Sequence, residues 1–374
     1  MTLTQQIKKK ALDLGFDLVS IIPVSPSTTI DVYANWLASG YAGEMSYLEK
    51  HYERKKDLQN VMPQTRSLIS LAINYYTKHV FEAEKKDPSK GLFSSYAWGD
   101  DYHQIVREKL EQLRAFIQER MPVQGDSRVY VDTGPILERE YAVRGGLGWF
   151  GKNSMLINRQ KGSWFFLAEI LLSNVLEYDP VIVKEGCGSC TLCLDACPTN
   201  AIVLDGLVDA RRCLSYLTIE LKGSIPQEFR QAMGNIIFGC DICQDVCPWN
   251  IKATVSQVSA FRSRGENNMP NLIDLMSLSQ TEFSRRFKNS PVKRSKRRGF
   301  LRNVAIALGN WGSPQAIPAL KHGLSDEEPL IKIHSAWALG QISHPEAKQV
   351  LKAALEVEKE EEVIREIKEA LFVV

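Results

Sequence analysis

The sequence predicts a mixed domain of helices and strands, α+β or α/β, over residues 1–180, and a ferredoxin-like domain carrying two 4Fe–4S clusters over 181–255. A connector with a basic strip follows over 256–298, and an α-helical domain of HEAT-like repeats over 299–374. Three observations lead there. Helical and strand-like apolar patterns alternate through the first 180 residues, all eight cysteines fall between Cys187 and Cys247, and Ala305-Ile306-Ala307-Leu308-Gly309 recurs as Ala336-Trp337-Ala338-Leu339-Gly340.

Residues 3–14 have helical spacing that stops at Gly15, and the apolar run 18–22 after them is ended by Pro23. Further helices are expected at 30–39, 102–120 and 137–144, and strands at 68–75 and 128–131. Residues 155–158 and 164–172 flank Lys161-Gly162 and read as a hairpin. This cysteine-free region is long enough to hold a substrate or cofactor.

With 44% hydrophobic and 24% charged residues the composition is that of an ordinary globular chain. The net charge of +2 predicts no partner by itself, so only clustering of charge is informative. No apolar leader follows the lysines of the first ten residues, and the most apolar stretch, 164–176, is interrupted by Glu169, Ser173 and Asn174. A soluble, cytoplasmic, monomeric protein without a membrane partner is expected.

Cys187, Cys190, Cys193, Cys197 and Pro198 have the spacing C-x2-C-x2-C-x3-C-P, in which three thiolates hold one cubane and the fourth reaches a second. Cys240, Cys243, Cys247 and Pro248 form a run one cysteine short, and Cys213 makes the total of eight that two cubanes need. Crossing the fourth ligands assigns Cys187, Cys190, Cys193 and Cys247 to one cluster and Cys197, Cys213, Cys240 and Cys243 to the other. Zinc also takes C-x2-C pairs, but it explains neither the triple run nor the Cys-Pro endings. One-electron wiring implies that the chemistry lies in whatever the clusters feed.

From 285 to 298 there are eight basic residues in fourteen and no acidic one: Arg285, Arg286, Lys288, Lys293, Arg294, Lys296, Arg297 and Arg298. Such density is a phosphate-binding signature, although a basic run is also the usual form of a solvated face. The repeat after it has small and apolar residues at helical spacing, with Pro314 and Pro345 following each Gly, as in HEAT-type helix pairs. So short an array buries little alone and is expected to dock on the core.

Gly146-Leu147-Gly148-Trp149-Phe150-Gly151 matches G-x-G-x-x-G but follows a helix and precedes a strand, the reverse of a dinucleotide site. Tight turns or close approach of the backbone to a flat ligand explain these glycines better. Asp101-Tyr102-His103 begins like a D-x-H-x-x-G cobalt-ligand motif, but Val106 holds its glycine position, and His103 reads better as a polar residue opening a helix. Asp132 ends an apolar strand before a turn, where desolvation beside an apolar cofactor would raise its pKa to suit a proton donor; capping of the following helix is the alternative.

Val131-Asp132-Thr133-Gly134-Pro135, Glu138-Arg139-Glu140-Tyr141-Ala142, Gly146 to Asn153, Cys187-Gly188-Ser189-Cys190-Thr191-Leu192-Cys193 and Cys213 to Glu220 together resemble the epoxyqueuosine reductase family over essentially the full length. The resemblance implies a cobalamin-dependent enzyme that reduces epoxyqueuosine to queuosine at the tRNA wobble position, with cob(II)alamin reduced to nucleophilic cob(I)alamin and electrons relayed by two 4Fe–4S clusters. It implies no histidine beneath the cobalt, Asp132 as proton donor over the cobalt face, and corrin contacts at Tyr96, Ala97, Asn153 and Ser215, with Asp57 and Ser154 beside them. The basic strip then becomes the cradle of an anticodon stem-loop, helped by Lys222, with Arg285, Arg286, Lys293, Arg294, Lys296, Arg297 and Arg298 on its phosphates. The electron donor is not identified by any residue pattern.

Two other readings use the same cofactor set in part. A reductive dehalogenase also unites cobalamin with two cubanes, but usually carries a twin-arginine signal and has no need of the basic strip. A non-catalytic iron–sulfur carrier or RNA-binding adaptor would need the clusters and no cobalt.

Overall fold

The computed structural model describes residues 1–77, 86–121, 123, 125–180, 186–265 and 267–373. The chain divides into two compact units that interleave in sequence: Met1–Lys78, Asp100–Asp209 and Ile242–Arg262 form the first, and His79–Gly99, Ala210–Asp241 and Ser263–Val374 the second.

A four-stranded sheet is the centre of the first unit. Its strands β1 (Leu18–Pro23), β2 (Ser67–Asn74), β3 (Ser127–Tyr130) and β4 (Phe165–Leu172) lie in the order β1-β2-β4-β3 and pair antiparallel throughout, the α+β form of the expected mixture. Strand β2 is buried along its whole length and β4 along nearly all of it, because each is central and covered on both faces. The helices α1 (Leu3–Asp13), α2 (Ile30–Ala38), α3 (Tyr102–Arg120) and α4 (Glu138–Arg144) stand where apolar spacing places them. Thr2 and Gln5 close a capping box on α1, and Asp101 caps α3.

One strand assignment is corrected. Leu156–Ile157 pairs with Trp149–Phe150 and not with β4, although Asn158 and Gly162 do close the expected turn. Both edges of β4 are already taken, by β2 and β3. The small pairing also accounts for Gly148, whose added Cβ would lie 2.2 Å from the Ile157 carbonyl oxygen. The close approach expected of these glycines is therefore to the chain's own backbone.

In the second unit the repeat forms α6 (Lys296–Trp311), α7 (Ile317–Leu324), α8 (Pro329–Gly340), α9 (Pro345–Val357) and α10 (Glu361–Val373), preceded in sequence by α5 (Leu214–Ile219) and the strand β5 (Ile236–Phe238). The repeated glycines mark helix crossings: a Cβ on Gly309 would meet Ala338 at 2.8 Å, and one on Gly340 would meet Ala370 at 2.8 Å. The fully buried Arg302 of α6 donates to the carbonyls of Leu217, Leu221 and Gly223, and its neighbour Asn303 to those of Thr218 and Ile237. Buried His334 of α8 accepts the Ile225 N–H, and burial together with nearby Arg230 and Arg302 holds its pKa well below the ordinary value. The helical tail thus docks on residues 210–241 through neutral or fully satisfied polar groups as well as apolar ones.

Candidate functional site

Asp132 lies just beyond the end of β3, with backbone φ of +56°, a left-handed conformation uncommon outside glycine. Three groups hold it. Its N–H donates to Glu138 Oε1 at 2.6 Å, the Tyr102 hydroxyl donates to Oδ2 at 2.7 Å, and His103 Nε2 is 3.3 Å from the same oxygen. Tyr102 is oriented by stacking on Phe166, with ring centroids 4.0 Å apart and planes 3° from parallel. The other nitrogen of His103, Nδ1, is 2.7 Å from Asp101 Oδ1. Both imidazole nitrogens are therefore engaged by carboxylates, which leaves neither to ligate a metal from below.

The electrostatics reverse one expectation. Burial pulls the His103 pKa down, but hydrogen bonds and charge from Asp101 and Asp132 outweigh it and carry it up to about 9. Desolvation raises Asp132, yet the bonds from His103 and Tyr102 and the charges of His103 and Arg139 leave its carboxyl below the ordinary value, not above it. At neutral pH this is a carboxylate facing an imidazolium. The Asp132 side chain is 59% exposed, so the pair opens onto solvent while protein surrounds it.

Arg139 continues the site, donating to both the carbonyl and the hydroxyl of Ser154 at 2.6 and 2.7 Å. Ser154 also has a left-handed backbone, φ +65°. The residues before it, Lys152 and Asn153, line a cavity of about 230 Å³ whose wall includes Cys187, Cys190, Cys193, Cys247 and Trp249. Burial pushes the Cys193 and Cys247 thiols up, and the thiolate charges of their neighbours push further. A cationic centre would reverse that rise and hold the four sulfurs as thiolates, which suits an iron–sulfur cluster.

Of the other four cysteines, Cys197 and Cys243 belong to the first unit and Cys213 and Cys240 to the second. The Ala201 N–H donates to Cys197 Sγ at 3.3 Å, and Asn153 Nδ2 donates to the Cys243 carbonyl at 3.2 Å. Cys213 precedes α5, whose Thr218 hydroxyl accepts the N–H of Gly239, next to Cys240.

Tyr96 and Ala97 sit in a short turn of the second unit, tied to the same stretch by Asp241, which accepts from the Ser94 hydroxyl and the Ser95 N–H. Ser215 lies in α5. Asp57 caps a turn by accepting the Gln59 N–H, and the Asn153 amide donates to the Cys243 carbonyl and accepts the Met155 N–H. In the basic strip, Arg285, Lys293, Lys296 and Arg298 are exposed and Arg286 half-buried. Arg298 donates to the Lys222 carbonyl, and Arg294 pairs with Glu220 at 2.9 and 3.0 Å. Arg297 departs from expectation: its guanidinium is bound to Asp326 and to the Leu278 carbonyl, with 14% of its side chain exposed, and it belongs to the core of this unit.

Sequence reasoning missed Tyr102, Glu138, Arg139 and Glu169, and saw His103 only as a helix-opening residue. The one signal for Glu169 was its place as the lone acid in the apolar run 164–176.

Comparison with known proteins agrees with this layout. Residues 55–133 match the model of the epoxyqueuosine reductase QueG domain, 186–250 that of a 4Fe-4S double cluster binding domain, and 294–371 that of HEAT repeats. The chain is 42% identical to the epoxyqueuosine reductase of Vibrio cholerae over 90% of its own length and 91% of the relative's, and 39% identical to that of Escherichia coli over 99% and 97%. It superposes with TM-score 0.92, at 32% identity, on a crystal structure of epoxyqueuosine reductase with an epoxyqueuosine-modified tRNA stem-loop, covering 99% of this chain and 98% of that one. A Bacillus subtilis epoxyqueuosine reductase whose catalytic aspartate loop is swung out of the active site matches with TM-score 0.90, at 31% identity, over 100% and 99%. Among the described residues no helix is long and apolar enough to cross a membrane.

Proposed function

The chain belongs to the epoxyqueuosine reductase family of oxidoreductases, and on that premise we propose that it removes the epoxide oxygen of epoxyqueuosine at the wobble position of tRNA, with cobalamin and two 4Fe–4S clusters. The observation that carries this reading is the run 152–154. Its first two residues line the four-thiol cavity, and its third is gripped by Arg139 beside Asp132, so three consecutive residues run from the thiols to the flank of a proton-handling carboxylate.

Asp132, Arg139 and Ser154 border the proposed corrin face, and the engagement of both His103 nitrogens fits a corrin bound without an imidazole beneath it. When bound, cobalamin supplies the two-electron reduction at carbon that single-electron cubanes cannot perform in one step.

The residues of this chain manage the proton. His103 holds it at Nε2, 3.3 Å from Asp132 Oδ2, and Asp132 passes it to the departing oxygen. Tyr102 fixes the receiving oxygen of Asp132 in place. The tRNA phosphates fall to the exposed members of the strip, Arg285, Arg286, Lys293, Arg294, Lys296 and Arg298, with Lys222 beside them. Arg297, held by Asp326 and the Leu278 carbonyl, is the member of the strip least free to join them.

The test is mass spectrometry of nucleosides from epoxyqueuosine-bearing tRNA after anaerobic incubation with the reconstituted protein and a strong reductant, with and without cobalamin. Loss of one oxygen mass only with cobalamin is the expected result. No loss with verified clusters and bound cobalamin overturns the substrate.

A further inference from the structure

Beneath Asp132 the first unit holds two carboxyl groups that the proton transfer above does not use, Glu138 half-buried and Glu169 fully buried. Glu169 sits in the middle of β4, fully buried. It is directly opposite Ser70 on β2 and Tyr130 on β3, and so shares a sheet face with both. Among the described residues, neither carboxylate oxygen of Glu169 has an N–H or hydroxyl donor of any kind against it, and the hydroxyl of Ser70 is likewise buried without a partner.

The group that reaches Glu169 is another acid, Glu138 of α4, and two carboxyls bond to each other only if one of them keeps its proton. Glu138 in turn accepts the N–H of Asp132 at 2.6 Å and so pins the left-handed backbone on which that carboxylate is mounted.

We propose that Glu138 is the positioning residue for Asp132, and that one proton shared between Glu138 and Glu169 keeps it in position. This rests on Asp132 being the group that serves the reaction. The charged groups around the pair are few: Asp132 opposes ionisation of Glu138, Arg139 favours it, and Lys55, itself desolvated and donating to the Tyr33 hydroxyl, lies within electrostatic reach. Burial dominates and drives both acids upward, so the shared proton is present at neutral pH. When it leaves, the two neighbouring carboxylates repel and Glu138 lets go of the Asp132 amide. A left-handed aspartate has little to keep it there without that bond.

Amide hydrogen exchange of the peptide spanning 131–137, in the cluster-loaded protein, tests this without reference to any substrate. Rates are normalised to the unstructured peptide and scanned from about pH 6 to about pH 10. In the unaltered protein, protection of the Asp132 amide should fall about two- to tenfold across the neutral-to-alkaline range. In E169Q the amide side chain supplies the bridging hydrogen permanently, so protection should stay high and flat. In E138A it should be low at every pH, and E138Q, whose side-chain oxygen still accepts, should restore it. Protection independent of pH in the unaltered protein, or unchanged in E138A, would overturn the proposal; if E138A does not fold, a pH dependence that survives in E169Q does the same. Absence of oxygen loss from tRNA alongside the predicted exchange pattern would instead remove the substrate reading and leave Glu138 as the anchor of Asp132.

Discussion

His103 and Asp132 form an ion pair, with Nε2 of the imidazole 3.3 Å from Oδ2 of the carboxylate while Asp101 holds Nδ1 on the far side. The folded-state pKa of His103 is raised to about 9 from its ordinary 6.5. A raised histidine contributes stability that is fully present below the unfolded value and is lost as pH climbs through the folded one. Unfolding by denaturant at a series of pH values should therefore show stability declining between about pH 6.5 and about pH 9. H103Q should flatten that decline, and an unchanged slope in H103Q would show that the imidazole is not charged in the folded state.

Asp132→Asn removes the carboxylate that takes the proton from His103 but keeps the size of the side chain. Cluster content and cobalamin binding should persist while turnover falls by about 10²–10⁴. Near-normal rates would take Asp132 out of the reaction.

Cys193→Ala leaves Cys187, Cys190 and Cys247 around a cavity made for four ligands. Iron and sulfide analysis after reconstitution should show loss of one cluster's worth of each, with the other cluster's absorbance retained. Full iron content would place the cluster elsewhere.

The basic strip should separate into two behaviours. K293A/K296A/R298A should weaken binding of an anticodon stem-loop and reduce the slope of log affinity against log salt by about 0.9 for each phosphate that is no longer neutralised. R297A should leave that slope unchanged and instead destabilise the fold by about 3–5 kcal/mol, because it strands Asp326 in a mostly buried site. Equal salt slopes in the triple variant and the unaltered protein would make the strip an ordinary solvated face.

What could be read from the sequence was what local rules govern. Helix α3 matches its expected span because Asp101 caps a long amphipathic pattern, and the cysteine runs were legible because cubane geometry fixes their spacing. Pairings set by tertiary context were not legible. The short strand Leu156–Ile157 chose Trp149–Phe150 because the edges of β4 were occupied, and the meeting of Tyr102, His103 and Glu138 on Asp132 depends on contacts across the sheet. The cationic neighbours that hold the Asp132 carboxyl below its ordinary value were hidden for the same reason, since they come from other elements.

The grip of Arg302 and Asn303 on residues 217–223 and 237 ties that backbone to the helical tail. Cys213 and Cys240 lie just outside those backbone segments, and their carbonyl partners are supplied by a helix that begins more than fifty residues further along the chain. Without α6 the carbonyls of Leu217, Thr218, Leu221, Gly223 and Ile237 lose these donors, so the order of the backbone flanking both cysteines depends on a distant part of the chain.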